Sequence, residues 1–271
     1  MTYEVLSYSD IALAAILVLA NALLSIALKL KLERQLLIAS VRMVVQLVLV
    51  GLILKLLFEQ QSPIWTALII VLMLLFAGRE IAARQDRSFV GLWSYGLGTV
   101  TMIVSTMVVT IFALTTQVQP DPWYDPRYAV TMLGMIMGNT MTGVSLGLDT
   151  LTSRASGERL AIEAQLALGR SREDAFRPLV RDALRAGFMP MINAMAATGL
   201  VSLPGMMTGQ ILGGVDPVEA VKYQLLIMFL IGGATGLGVL MAVLGGAWRL
   251  SDDRHRLRLD RLMSSRSRNS G

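Results

Sequence analysis

Long apolar segments separated by short polar ones dominate the chain. Crossing the hydrocarbon core of a bilayer, about 30 Å thick, takes roughly 20 apolar residues in an α-helix. Seven segments approach or reach that length, although the third is short. The pattern therefore predicts an all-α membrane protein with about seven transmembrane helices, at residues 10–28, 38–57, 63–78, 95–116, 129–148, 187–204 and 223–247.

Lysine and arginine residues are concentrated on one side of these predicted helices. They cluster after the first, third and fifth segments and in the C-terminal stretch, whereas the opposite side carries only Lys55, Arg127 and Lys222. Because basic loops stay in the cytoplasm, we expect the N-terminus outside and the C-terminus inside. Residues 1–250 would then form one transmembrane domain, followed by a basic cytoplasmic tail at 251–271.

The basic tail accounts for much of the net charge of +5. In a soluble protein such a charge would suggest nucleic-acid binding. In this chain we favour a topology signal held near anionic lipid headgroups, with disorder from Ser264 to Gly271. The expected partner of the tail is therefore membrane lipid and not nucleic acid.

The composition supports the membrane assignment and excludes several kinds of chemistry. Hydrophobic residues make up 54% of the 271 residues and the mean hydropathy is +0.61, values that are rare in a soluble domain. The absence of cysteine excludes disulfides and thiolate metal sites, and the single histidine, His255, argues against a zinc or non-haem iron site. Glu4 and Asp10 replace the basic start of a signal peptide, so we expect the first segment to remain as a span.

The connection at 149–186, between the fifth and sixth segments, is a charged loop with two amphipathic helical patterns. The first pattern ends at Gly169, a residue type that is common at helix C-termini. Ser171 and Asp174 fit an N-terminal capping box for the second helix, and Pro178 is expected to kink or restart that helix. From its composition alone, this elbow could equally lie on lipid headgroups or contact another protein.

The run EAQLALG at 163–169 resembles the E-A-A-x-x-x-G loop of ABC transporter permeases. In those families a short helix of the loop sits in a groove on the ATPase subunit and transmits its movement. The Leu-Pro pair that is common at the end of such loops is missing, and Arg181 and Asp182 stand in its place. The resemblance implies that the residues that couple to an ATPase are Glu163, Ala164, Gly169, Ser171 and Phe176.

A second run, GLVSLPGMMTG at 199–209, carries a more specific resemblance. Together with Gly138 and Asn139, and with Arg42 and Gln46, it is similar to the seven-span permeases of the iron-export ABC system. That group is an uncharacterised membrane family related to plant aluminium-tolerance half-transporters. The resemblance extends from the second to the seventh segment. It implies a permease of the bacterial cytoplasmic (inner) membrane that moves iron or another metal ion outward.

The same resemblance implies which partners the chain needs. No G-x-x-x-x-G-K-[ST] motif occurs, so ATP and Mg²⁺ are expected on a separate ATPase subunit. The chain itself is expected to bind no cofactor and to be no enzyme. Two copies of the permease are expected in each transporter. The alternatives are a permease for an organic substrate, such as a nucleotide sugar, and an ATP-independent channel or carrier.

Helix breaks and small residues indicate where a transport pathway runs. Pro204 and Gly205 interrupt the sixth segment, which predicts an outer gate at 199–214. In the fifth segment, the G-x-x-x-G motifs at 134–138 and 143–147 favour close helix packing, with a seam between two copies or a pore lining as alternatives. The residues predicted to line a pore or gate are Arg42, Gln46, Gly138, Asn139, Ser202, Pro204, Gly205, Met206 and Met207.

Metal binding has only weak candidates in the sequence. Asp216 and Glu219, near the predicted outer mouth, form a site of two carboxylates at most, and Asp216 is equally suited to cap the last helix. The 17 methionines offer thioether ligands that suit Cu(I) better than iron. We therefore interpret them as packing residues that fill irregular core space.

Overall fold

The computed structural model describes residues 7–252 and 254–263, and α-helices make up most of that part of the chain. Its only β-type contacts, among the described residues, are isolated bridges, so the predicted all-α fold is confirmed. A π-helical turn at Leu114–Val118 extends α4, and a 3-10 turn lies at Leu259–Arg261. The helices are α1 (Tyr8–Ala27), α2 (Glu33–Gln60), α3 (Pro63–Arg84), α4 (Trp93–Ala113), α5 (Pro126–Gly157), α6 (Arg159–Ala167), α7 (Arg172–Ala197), α8 (Gly205–Leu212) and α9 (Pro217–Leu250).

Six of these helices are long and apolar enough to cross a membrane: α1, α2, α3, α4 with its π-helical turn, α5 and α9. They correspond to six of the seven predicted segments. The predicted segment at 187–204 differs, because it belongs to α7, which begins in the charged loop and ends at Ala197. The apolar part of α7, residues 187–197, rises only about 16 Å at 1.5 Å per residue, roughly half of the hydrocarbon core.

The described part of the chain divides into two compact units, one of residues 7–62 and 212–214, and one of residues 63–211, 215–252 and 254–263. The first unit contains the hairpin of α1 and α2. The hydroxyl of the buried Ser25 donates a hydrogen bond to the Glu33 carboxylate and accepts one from the Leu32 N–H, both at 3.0 Å. These bonds satisfy polar groups at the turn between two strongly apolar helices.

In the second unit, α5 is the central helix, and α3, α4, α7 and α9 all pack against it. Its side chains at Leu133, Ile136, Val144, Leu148 and Leu151 are fully buried. They recur at the three- and four-residue spacings that place side chains on one face of a helix. Helix α9 also contacts α4 and α7, which completes the bundle.

Helices α5 and α7 touch backbone to backbone at Gly143 and Gly187. A Cβ atom on Gly143 would lie 2.7 Å from the Gly187 carbonyl oxygen, and one on Gly187 would lie 2.9 Å from the Gly143 oxygen. A Cβ atom on Gly147 would lie 3.0 Å from a methyl group of Val243 on α9. The G-x-x-x-G motif at these positions is thus a packing motif within the chain, whereas Gly138 in the other motif has open space around it.

Substitution by alanine should have opposite effects on stability at a glycine in the close helix contact and at a glycine with open space around it. Gly143→Ala should lower the free energy of unfolding by about 1–3 kcal/mol, because the added methyl group forces α5 and α7 apart. Gly138→Ala is the matched control, since nothing lies within 4 Å of its Cβ position and alanine is favoured over glycine in a helix by about 1 kcal/mol. Thermal unfolding in detergent, followed by circular dichroism, measures both. Equal melting temperatures for the two variants would show that α5 and α7 are not tightly packed at Gly143.

The C-terminal segment (residues 251–252 and 254–263) packs against the bundle and does not leave it as a free tail. Leu262 pairs with Phe89, which follows α3, and both side chains are buried. The backbone N–H of Arg172, at the start of α7, donates a hydrogen bond to Nδ1 of His255 at 3.2 Å. Contacts with two distant parts of the chain therefore hold this segment in place.

Ion pairs within the C-terminal segment satisfy part of its positive charge. Arg258 donates hydrogen bonds of 2.8 and 2.7 Å to Asp260, and they lower the pKa of that carboxyl to about 2. Arg256 pairs with Asp252 at 2.9 Å. Two arginines of the segment are therefore paired within it. The stretch 264–271, for which disorder is predicted, lies outside the described residues.

Candidate functional site

Several arginine-rich loops and helix ends meet at one end of the second unit, here called the basic end (residues 84–93, 149–182, 248–252 and 254–263). The backbone N–H of Asp86, after α3, donates a hydrogen bond to Oδ1 of Asp149 on α5 at 2.8 Å. Arg87 donates a hydrogen bond to the hydroxyl of Ser156. These contacts fix the connection between α3 and α4 against the end of α5.

The predicted loop at 149–186 is more helical than the sequence pattern indicated. Helix α5 extends into it, and α7 runs without interruption through Pro178 and Pro190. The predicted restart of the second helix at Pro178 does not occur, because α7 is continuous through this residue, whereas a kink there stays a prediction. Proline removes one backbone hydrogen bond, but Phe176 and Leu179 beside it are buried in the core, and their packing keeps the helix continuous.

Gly169 ends α6 in the way that the sequence predicts. It has a φ of +82°, in the left-handed region that favours glycine. Its N–H donates to the Leu166 carbonyl at 3.0 Å, and the N–H of Arg170 donates to the Gln165 carbonyl at 3.2 Å. This pair of bonds is the Schellman motif, which turns the chain sharply after a helix.

Ser171 caps α7, as predicted. Its hydroxyl accepts the Asp174 N–H at 3.2 Å and donates to the Asp174 carboxylate at 2.9 Å. In the same turn, a hydrogen bond of 2.9 Å from Arg172 lowers the pKa of the Glu173 carboxyl. Negative charge in the first turn interacts favourably with the helix dipole, so the start of α7 is held firmly.

Helix α6 presents an apolar face to the outside. Its inner side is anchored by Ile162, which is buried in the core. On the outer side, Leu160 is 81% exposed and Leu168 is 84% exposed. Both leucines belong to the first helical pattern of the loop, and their spacing of about two helical turns is the signal in the sequence that they share one side of the helix. The exposed residues that share this side, here called the α6 face, are Leu160, Ala161, Ala164, Ala167 and Leu168.

Arg154, near the end of α5, links the helices around α6. Its guanidinium lies 2.6 Å from the Glu158 carboxylate and also pairs with Asp182 of α7. Asp182 stands where ABC permease loops commonly have the Leu-Pro pair. The departure from that loop pattern thus places an ion pair between α5 and α7.

The residues predicted to couple to an ATPase fall into two groups. Ala164 and Gly169 are exposed, and Glu163 on the flank of α6 pairs with Arg159 at 2.8 Å. Phe176 is buried, so its contribution is to hold α7 in the core. The structure brings the first group and the Ser171 cap together around the turn between α6 and α7.

The predicted gate at 199–214 consists of an exposed turn followed by α8. Gly199 has a φ of +89°, and its N–H donates to the Ser202 carbonyl at 2.9 Å. Leu200 and Val201 at the tip are 93% and 85% exposed. No residue of α8 is buried, and a gating role for this region stays a prediction. The other predicted gate residues lie where the turn meets α8: Pro204, Gly205, Met206 and Met207.

The remaining predicted pore residues lie on exposed helix faces. Gly138 and Asn139 are exposed on α5, and the Asn139 amide donates to the Met135 carbonyl at 2.9 Å. Arg42 and Gln46 are exposed on α2, one turn apart, in the first unit. A polar side chain within a membrane span usually faces protein or water, which makes the exposed α5 face a candidate pore lining.

The carboxylates proposed for metal binding are engaged in other contacts. Oδ1 of Asp216 accepts the N–H groups of Val218 and Glu219 at 2.9 and 3.3 Å and so caps α9. Glu219 pairs with Lys222 at 2.6 Å. The capping role of Asp216 is confirmed, and metal binding by this pair stays a weak prediction. Within the described ranges, no three His, Cys, Asp or Glu side chains cluster as a metal site.

Comparison with known proteins agrees with the resemblance seen in the sequence. A family model described as an uncharacterised protein family, UPF0014, matches residues 8–250. The chain belongs to the UPF0014 family. No solved structure matches the chain.

Relatives of this UPF0014 protein include bacterial and plant members. It is 31% identical over 248 residues to the "Probable iron export permease protein FetB" of Escherichia coli, covering 92% of this chain and 93% of that protein. It is 40% identical over 206 residues to a UPF0014 membrane protein of Synechocystis, covering 74% and 77%. It is 30% identical over 225 residues to "Protein ALUMINUM SENSITIVE 3" of Arabidopsis thaliana, covering 83% and 80%. The family resemblance found in the sequence is therefore confirmed.

In a UPF0014 membrane protein, lipid explains exposed apolar residues on the candidate spans, such as Phe229 of α9, which is 70% exposed. The α6 face needs a different explanation, because α6 is not among those spans. Contiguous exposed apolar residues outside the spans mark a contact with another protein or with the membrane surface. The α6 face is therefore the strongest candidate for a functional contact at the basic end.

Proposed function

We propose that this UPF0014 protein is the membrane-spanning permease subunit of an ABC transporter that exports iron or another metal ion while a separate subunit hydrolyses ATP. The observation that carries the proposal is the α6 face, whose two leucines are more than four-fifths exposed. This face lies within the run that resembles an ATPase-coupling loop. The relative FetB, named as a permease for iron export, supports the choice of substrate.

The α6 face would insert into a groove on the ATPase, as amphipathic helices do in many complexes. Closure of two ATPase subunits on ATP would then displace α6. The Schellman turn at Gly169 and the cap at Ser171 fix the junction between α6 and α7. A rigid junction would pass the displacement on to α7 and would not absorb it.

Helix α7 would carry this displacement into the membrane. It is continuous over Arg172–Ala197, about 39 Å at 1.5 Å per residue, and it ends at the turn that contains Gly199. The pairing of Arg154 with Asp182 and the contact of Gly143 with Gly187 join α7 to α5. The two helices would therefore move as one element.

The proposed topology has seven crossings with the N-terminus outside and the C-terminus inside. The apolar half of α7, the turn at 198–204 and α8 would together form the sixth crossing. The distribution of arginines supports this orientation, because it makes the basic end cytoplasmic. The membrane would be the bacterial cytoplasmic (inner) membrane.

Each transporter would contain two copies of this chain and two ATPase subunits that bind ATP and Mg²⁺. The transport pathway would run between the two copies along the exposed α5 face, where Gly138 and Asn139 lie. The described residues of one chain hold no cluster of three acidic, histidine or cysteine ligands. An ion in transit would therefore be bound by groups from both copies and by water.

Proteoliposomes that contain the permease and its ATPase partner test the substrate. In vesicles with the ATPase facing outward, we expect ATP-dependent accumulation of Fe²⁺ inside and stimulation of ATP hydrolysis by several fold. Other divalent metals and nucleotide sugars, added separately, are the comparison. Stimulation by a nucleotide sugar alone would reject the metal substrate and keep the ABC assignment. Failure to form a stable complex with any ATPase would reject the proposal.

A further inference from the structure

A cavity of about 600 Å³ opens at the basic end, between the start of α4 and the end of α9. Its walls are apolar or small residues between Val90 and Val100, together with one charged residue, Arg249. We propose that this cavity binds an anionic phospholipid, with the phosphate on Arg249 and the upper part of an acyl chain along α4. The volume lies within the range of about 300–1,000 Å³ that is usual for ligand sites.

Arg249 is positioned to bind a phosphate. Its guanidinium carbon lies 4.6 Å from the centre of the Trp93 ring. Stacking on an aromatic ring uses the flat face of the guanidinium and leaves its N–H edge for two phosphate oxygens. None of the ion pairs in the described part of the chain includes Arg249, and its Nε is buried without a hydrogen-bond partner. A bound anion would balance the charge of this guanidinium.

The remainder of the cavity suits an acyl chain. Leu92 is 82% exposed at the rim, and Val100 is 55% exposed two turns into α4. A Cβ atom on Gly96 would meet nothing within 4 Å, so the absent side chain leaves room for a ligand. Trp93 and Trp248, with ring centroids 6.3 Å apart, are of the residue type that lies at the level of lipid headgroups.

Charge complementarity favours an anionic lipid over the chain's own C-terminus. Arg261 donates a hydrogen bond of 2.7 Å to the carbonyl of Arg249, which brings a second cation close to it. The N–H of Met263 donates to the Ser88 carbonyl, near the rim of the cavity. The residues that follow, 264–271, contain two arginines and no acidic side chain. They therefore do not complement Arg249, whereas a phosphodiester does.

A neighbouring cavity of about 310 Å³ differs from the Arg249 cavity in having an acidic side chain in its lining. It is lined in part by Arg172, Glu173 and Arg177, at the start of α7. The Arg172 side chain donates a hydrogen bond of 2.9 Å to Glu173, so an acidic side chain of the same cavity already balances part of the charge. The Arg249 cavity has no acidic residue in its lining, which makes it the better site for an anion.

Native mass spectrometry of the purified full-length permease tests lipid binding apart from transport. After delipidation and incubation with equal amounts of phosphatidylglycerol and phosphatidylcholine, we expect the protein to retain phosphatidylglycerol at least fivefold more. Arg249→Gln should reduce that preference at least threefold. Arg185→Gln is the matched control, because it removes one exposed arginine of α7 outside the cavity lining and should leave the preference unchanged.

A second variant keeps the test decisive if Arg249→Gln fails to fold. Gly96→Leu adds a side chain to the cavity lining at a position where a Cβ atom meets nothing within 4 Å, and it leaves the arginine in place, so phosphatidylglycerol retention should fall to a similar extent. Gly233→Leu, at an exposed glycine of α9 with open space around it, is its control. Equal retention of the two lipids by the unmodified protein, or a preference that survives both cavity variants, would overturn the proposal. So would displacement of the lipid by glycerol 3-phosphate at equal concentration, because it would identify a soluble phosphate as the ligand.

Discussion

Glutamates at Leu160 and Leu168 should abolish assembly with the ATPase while the permease remains folded. Both side chains are more than four-fifths exposed, so their replacement removes no core contact. Burying an unpaired carboxylate in an apolar groove costs several kcal/mol. We expect the affinity of the purified ATPase for the double variant to fall at least a hundredfold, and the stimulated ATP hydrolysis to disappear. Binding to the immobilised permease and steady-state ATPase assays measure the two effects.

A charge-matched variant separates this effect from simple electrostatics. Gln165→Glu combined with Arg170→Gln changes the net charge by the same amount but lies off the α6 face, and its affinity should stay within threefold of the unmodified protein. Normal ATPase binding by the Leu160/Leu168 variant would rule out the α6 face as the contact. Loss of binding to anionic liposomes in place of ATPase binding would identify the face as a membrane-surface contact.

Valine at Gly169 should uncouple ATP hydrolysis from transport. The residue has a φ of +82°, a conformation that costs an L-residue roughly 1–2 kcal/mol and a β-branched one more. The turn between α6 and α7 would relax into another geometry, and movement of α6 would no longer reach α7. We expect the complex with the ATPase to form, but the number of ions moved per ATP hydrolysed to fall at least tenfold in proteoliposomes.

Gly157→Val is the control for this variant. Gly157, at the end of α5, also has nothing within 4 Å of its Cβ position, but its φ is not positive. The same atoms are therefore added at the same end of the bundle without the backbone strain. A coupling ratio that is lowered equally by both variants would assign the effect to added bulk, and an unchanged ratio in Gly169→Val would show that the turn does not transmit the movement.

The ends of the helices in the charged loop could be predicted because their signals are local. Gly169 adopts a backbone conformation that few other residues tolerate, and Ser171 bonds a group three residues away. Pro178 misled the prediction because its local penalty competes with distant contacts. The burial of Phe176 and Leu179 outweighs that penalty, and burial of this kind depends on helices that are far away in the sequence.

The functional surface was only partly predictable for a related reason. The resemblance of the loop pointed to Glu163 and Gly169, but which side chains of this region face outward depends on how Ile162 docks onto the bundle. The C-terminal stretch was predicted to be a basic tail held near lipid headgroups because arginines dominate its composition. Its fold depends on Phe89, more than 150 positions earlier, and no local pattern of charges reveals such a partner.

The contacts of the C-terminal segment also determine when, during synthesis of the chain, the basic end can fold. Leu262, which covers Phe89, and His255, which accepts the N–H of Arg172, are synthesised after every helix of the bundle. The helices of the bundle are synthesised earlier, with Phe89 and the first turn of α7 still uncovered. The basic end is therefore completed only after α9 has been synthesised, and we expect a chain that ends between α9 and Leu262 to leave the Phe89 side chain uncovered and to be more susceptible to proteases.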